Sequence, residues 1–153
     1  MNPFMKRSFL LLLLSLGLSG FGLAQEERVT EVTSEKLFFD YEGKQAIFTG
    51  KVVVNDPDLQ LTGDKLTIFM TADDEIERLV AEGNVEIKME GMQSRSGKAV
   101  YTLSDGKVIL TDGPQVSRDG SILQAEKVTY WRLENRLEAF PRARVIMFQE
   151  NRP

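Results

Sequence analysis

Asp73, Asp74 and Glu75 put three carboxylates on consecutive residues. Carboxylates this close raise two chemistries, a cation site or a general acid–base pair. Their place in the chain argues for neither. They occupy the hairpin position that Gly43, Gly106 and Asn135 occupy elsewhere, so a solvated turn is the reading that fits. The chain has no His and no Cys, which excludes imidazole catalysis, imidazole ligation and a thiol nucleophile. The stretch Asp112-Gly113-Pro114-Gln115 is a turn and not a phosphate cradle. A glycoside hydrolase would need two carboxylates facing each other from strands at a set separation, whereas the acidic residues here gather in turns. The expectation is a protein that is not an enzyme and has no cofactor and no metal.

What must position any binding residues is a β framework. After residue 25, runs of Val, Ile, Thr, Phe and Tyr alternate with close-set turn signals: Glu42-Gly43, Asp56-Pro57, Asp73-Asp74, Asp105-Gly106, Asp119-Gly120 and Glu134-Asn135. Short strands with turns this frequent predict an all-β fold. Ile76, Leu79 and Val80 have helical spacing, but their segment aligns with strand segments and is read as turn, then strand.

The N-terminal segment has a different character. Lys6 and Arg7 precede an apolar run from Phe9 to Leu23, and Gly22 and Ala24 stand at the −3 and −1 positions of a cut before Gln25. These are the three parts of a secretory signal peptide over residues 1–24. A retained membrane anchor is the alternative, but the apolar run is shorter than the roughly 20 residues a spanning helix needs. No Cys is present for lipid attachment. Residues 25–153 then form one domain. It carries 17 basic against 23 acidic residues, a net charge of −6, which argues against a nucleic-acid partner.

Four blocks repeat: SEKLFF, GDKLTI, SGKAVY and AEKVTY. Their lysines, Lys36, Lys65, Lys98 and Lys127, are spaced 29, 33 and 29 residues apart. Val52, Val85, Val116 and Val145 interleave at spacings of 33, 31 and 29, each shortly after a Gly or Pro. Periods of this size mark a supersecondary unit that buries its apolar face only against its neighbours. The units lie near residues 34–62, 63–95, 96–124 and 125–148. In each Lys block the first and third residues after the lysine form an apolar column, Leu37 and Phe39, Leu66 and Ile68, Ala99 and Tyr101, Val128 and Tyr130. In the second unit Leu79, Ala81, Val85, Ile87 and Met89 share one face, with Glu82, Asn84, Glu86 and Lys88 on the other.

The stretch FTGKVVVNDPDLQLTGDKLTIF, with its Gly–x–Val–x–Val and Leu–x–Leu–x–x–Asp–x–Leu pattern, resembles the OstA-like repeat of the LptA family of periplasmic lipopolysaccharide transport proteins. AEGNVEIKMEGMQSRSGKAVY repeats it less strictly, with Ser94 in the place of Leu61 and Gly97 in the place of Asp64. The resemblance covers roughly residues 28–148. It implies a repeat-built antiparallel folded sheet, a β-jellyroll or β-taco, here of roughly 10–13 short strands given the chain's length. It also implies a periplasmic location and a non-enzymatic role: lipid A acyl chains lie in an apolar groove, and the protein bridges the inner and outer membranes. Partners would be lipopolysaccharide or a related amphiphile and other transport domains stacked on open strand edges, with self-association among the options. A docking domain of the same assembly, anchored at the inner membrane if the N-terminal segment stays, is the alternative.

The groove so implied would be lined by Phe39, Phe48, Val52, Val54, Leu61 and Leu66, by Ile68, Met70, Val85, Ile87, Met89 and Tyr101, and by Val116, Leu123, Val128, Tyr130, Val145 and Met147. Each is first a core position, and in a groove the two roles coincide. The larger or more flexible among them, such as Met70, Met89 and Met147, are the best lipid contacts. Lys65, Lys127, Arg95, Arg118, Arg142 and Arg144 are solvated strand or turn residues that could also meet phosphates at the groove mouth. Trp131 lies on the face opposite Tyr130, where it would pack across strands or belong to a docking edge.

Overall fold

The computed structural model describes residues 29–149; the expected signal peptide and its cut before Gln25 lie outside them. The described chain is all β. Its strands are β1 (Glu31–Thr33), β2 (Lys36–Asp40), β3 (Gln45–Asp56), β4 (Leu59–Met70), β5 (Ile76–Met89), β6 (Met92–Thr102), β7 (Lys107–Thr111), β8 (Gln115–Arg118), β9 (Ser121–Gln124), β10 (Val128–Trp131), β11 (Arg136–Ala139) and β12 (Arg144–Met147). All belong to one antiparallel sheet.

The pairing pattern reduces to something simpler. β3, β4, β5 and β6 are long and intact. β1 and β2 both pair with β3, at opposite ends of it. β7 and β8 likewise share β6. β9 pairs with β8 and β12, while β10 pairs with β7 and β11. β1–β2, β7–β8, β9–β10 and β11–β12 are thus four long strands, each broken near its middle. Together with β3–β6 they form a meander of eight long segments, two for each sequence repeat.

The breaks line up into a crease across the sheet. The register shifts between Thr49 and Val52, between Thr62 and Lys65, and between Glu82 and Val85. β3 and β5 each carry an extra residue there, at Gly50-Lys51 and Gly83-Asn84. Their φ values are 84° and 47° in the first pair and 78° and 47° in the second. A left-handed residue is cheap only for Gly and tolerable for Asn, which is why each of these two repeats places Gly two residues before its Val. Bulges of this kind bend a strand and raise its local twist.

The same contact recurs along the crease. The residue before each block lysine meets the kinked residues of the next segment. The Glu35 amide donates to the Gly50 carbonyl at 2.9 Å, Gly97 to Asp112 at 2.8 Å and Glu126 to Pro141 at 3.2 Å. Side chains add to it. Lys51 stands 3.6 Å from Glu35, Asn84 donates to Asp64 at 2.9 Å, and Arg142 lies 3.1 Å from Glu126. In the third rung the acid has changed sides, with Gly97 on one segment and Asp112 on the other.

The crease divides the sheet into two limbs with a common interior. Val52, Leu66, Ala81, Val85, Ile87, Ala99, Leu110, Val116 and Val128 form one buried cluster drawn from both limbs. Burying each of the Val, Leu and Ile side chains among them contributes about 1.5–3 kcal/mol. Burial falls off away from the crease: Leu66 is buried, but Ile68 and Met70 beyond it are only half-buried. The turns at the far end of one limb all use a left-handed residue, Lys44, Asp74, Gly106 and Asn135.

Candidate functional site

The inner face reads off the register. One limb contributes Phe39, Phe48, Leu66, Ile68, Tyr101, Val128 and Tyr130, through the pairs Phe39–Ala46, Phe48–Leu66, Leu79–Ile68, Leu79–Tyr101 and Tyr130–Val108. The other contributes Val52, Val54, Leu61, Val85, Ile87, Met89, Val116 and Leu123, through Val54–Leu61, Leu61–Ile87, Leu59–Met89 and Val116–Leu123. Val52, Leu66, Val85, Ile87, Val116 and Val128 make the packed floor, and Phe48, Val54, Leu61, Ile68, Met89 and Leu123 pack against it while half-buried.

Phe39, Met70, Tyr101 and Tyr130 share the inner face's side of their strands, but they are half-buried and stand outside that packed cluster. Val145 and Met147 depart further from expectation. They pair with Leu123 and Ser121 on β12, the last strand of its limb, and are 55% and 69% exposed. With no strand beyond them among the described residues, nothing closes over their side chains.

The inner face is also less uniformly apolar than the repeat predicts. Ser94 and Ser96 stand opposite Ile87 and Val85, and both are buried. Ser96 Oγ has no hydrogen-bond partner among the described residues.

Where the limbs open, a cavity of about 720 Å³ lies between them. Leu59, Met89, Met92 and Arg118 line it from one limb; Tyr130, Arg132 and Asn135 line it from the other. Its rim is polar, including Lys88, Glu90 and the β3–β4 turn from Asn55 to Gln60. Arg132 is a residue that sequence reasoning misses, although it continues the alternation of Val128 and Tyr130. It donates to the Tyr101 hydroxyl at 3.2 Å and lies over that ring at 5.5 Å.

Of the other cations, Arg118 reaches the cavity. Arg95 instead pairs with Glu86 at 2.6 Å and Arg142 with Glu126, while Lys65 stands 3.9 Å from Glu82. Lys127 and Arg144 are exposed and do not line it. Asp73, Asp74 and Glu75 form an exposed turn in which Asp74 meets Lys44 Nζ at 2.6 Å. Trp131 faces away from the trough and carries Arg136 over its ring at 4.1 Å.

Fold and site together define a class: an antiparallel sheet creased into a trough, with an apolar floor at the crease and polar rims at the opening. The chain belongs to the LptA/(LptD N-terminal domain) LPS transport protein family, whose model matches residues 31–136. This is the OstA-like family that the repeats resemble. The chain is similar in structure to LptH, the LptA-homologous periplasmic component of the conserved lipopolysaccharide transport device from Pseudomonas aeruginosa. The TM-score is 0.73 at 18% identity, covering 80% of this chain and 97% of that one. Among curated proteins nothing matches at a significant level.

Proposed function

We propose that this chain is a periplasmic, non-enzymatic carrier that holds the lipid A acyl chains of lipopolysaccharide in the trough and forms part of a bridge between the inner and outer membranes. The observation that carries the proposal is the gradient along the inner face. The floor at the crease is packed, whereas Ile68, Met70 and Met89 away from it are only half-buried, and Met89 lines the cavity. A finished core would bury such residues. An acyl chain laid along them would remove apolar surface from water at about 25 cal/mol per Å². Membership in a family of LPS transport proteins supports the reading, as does the periplasmic origin of LptH.

Both ends of the sheet suit stacking on similar domains. Leu37 and Phe38 on β2 are more than half exposed, as are Val145 and Met147 on β12 and Phe140 and Phe148 beside that edge. Unpaired strand edges flanked by apolar side chains are the substrate of strand addition.

Native mass spectrometry of the purified protein with and without lipopolysaccharide tests the carrier reading. Wild-type protein is expected to retain lipid, and Ile68→Asp to lose it while keeping its fold. Val85 is too deeply packed for that purpose, since a charge at a 1% exposed position breaks the core itself. A folded protein that retains no amphiphile would leave the trough without its proposed cargo.

A further inference from the structure

The trough's opening carries an arginine whose contacts among the described residues are with a phenol rather than an acid. Arg132 is half-buried and engages the Tyr101 hydroxyl and ring; no carboxylate among the described residues pairs with it. Across the same cavity Arg118 ends β8; its acidic partner among the described residues is Asp119 at 3.5 Å, whose own side chain is 83% exposed. Lys88 lines the rim as well. Among the described residues, the carboxylates lining this opening are Asp56, Asp58 and Glu90. Asp56 is engaged at its own turn, accepting from the Asp58 amide at 3.0 Å and from the Thr30 hydroxyl at 2.6 Å.

We infer that Arg132 and Arg118, reaching the cavity from opposite limbs, form an anion subsite for the phosphate of a phosphorylated lipid headgroup. The inference rests on the carrier reading and deepens it. Chains that lie on the apolar floor put their headgroup at the polar opening, which these two arginines line. An arginine fork matches a phosphate's oxygens in pairs. Arg132 resting on a phenol gives up only a neutral acceptor when it turns to an anion, whereas Arg95 or Arg142 would have to leave a carboxylate.

The test compares diphosphorylated lipid A with the same lipid A after removal of its phosphates, titrated against the purified protein, with inorganic phosphate as a third probe. The wild type is expected to prefer the phosphorylated lipid by about tenfold or more, as charged hydrogen bonds would give. Arg132→Gln and Arg118→Gln should each erode that preference, and the double variant should abolish it, while affinity for the dephosphorylated lipid stays unchanged. Arg132→Lys keeps the charge and should keep part of the preference; it also covers the case in which Arg132→Gln folds poorly. Equal binding of the two lipids by wild type overturns the subsite and leaves the carrier reading standing. Inorganic phosphate bound as tightly as the lipid would make this a free-anion site and overturn the headgroup assignment. Failure of both lipids to bind overturns the carrier reading and the subsite with it.

Discussion

Asn84 Nδ2 donates to Asp64 Oδ2 at 2.9 Å across the crease, from the second residue of a bulge on β5 to the residue before the block lysine on β4. Asn84 is itself left-handed, with φ at 47°, and follows Gly83 at 78°. A β-carbon on Gly83 would run into the Asp64 side chain. Glycine here meets two demands, the backbone angle and the space for the acid.

Gly83→Ala is therefore expected to destabilise the protein by about 1–3 kcal/mol, the left-handed penalty plus the displaced carboxylate. Urea unfolding checks it. A change within error would mean that the crease tolerates ordinary residues and that the glycine is not needed for the bend.

The third rung offers a compensating pair. A side chain at Gly97 would stand 2.5 Å from Asp112 Cβ, so Gly97→Asp alone should lose about 1–3 kcal/mol by overpacking. Adding Asp112→Gly restores the arrangement of the second rung and should recover most of that loss. Additive losses in the double variant would contradict the equivalence of the rungs.

Ser96→Ala should raise stability by about 1 kcal/mol, because it removes a buried hydroxyl with no partner. Thermal melting measures it. A destabilised variant would point to a hydrogen bond formed through a water molecule in solution.

Much of this structure is legible in the sequence, and the reasons are local. Period-two alternation places Leu79, Ala81, Val85, Ile87 and Met89 on one face, as they are. The spacing of Lys36, Lys65, Lys98 and Lys127 marks alternate segments of the meander. The crease is harder to read. On β4 the inward residues are Leu59 and Leu61 on one side of it but Leu66, Ile68 and Met70 on the other, a change of parity that no propensity signals. Val145 and Met147 fit the pattern of inward residues, yet exposure at a sheet edge depends on whether another strand lies beyond it, which alternation does not encode. Arg132 sits just after Trp131 at the start of a turn, and only the folding of one limb over the other brings it to the cavity that Arg118 lines from the opposite side.

The exposed apolar side chains of β12 make a separate prediction. Val145→Lys should leave the melting temperature nearly unchanged, because the residue is 55% exposed, and should lower any concentration-dependent self-association seen by light scattering. Unaltered association would place the contact elsewhere.

The inner face of the trough, and not the outer one, is the surface proposed to receive the acyl chains of lipopolysaccharide. The most direct measurement places a photo-crosslinking amino acid at the half-buried inner positions Ile68 and Met89 and, for contrast, at the outer positions Val53 and Thr62. Illumination in the presence of lipopolysaccharide is predicted to give crosslinked lipid at Ile68 and Met89 and little at Val53 or Thr62. Equal yields on both faces, or none at the inner positions in a folded protein, would contradict the account.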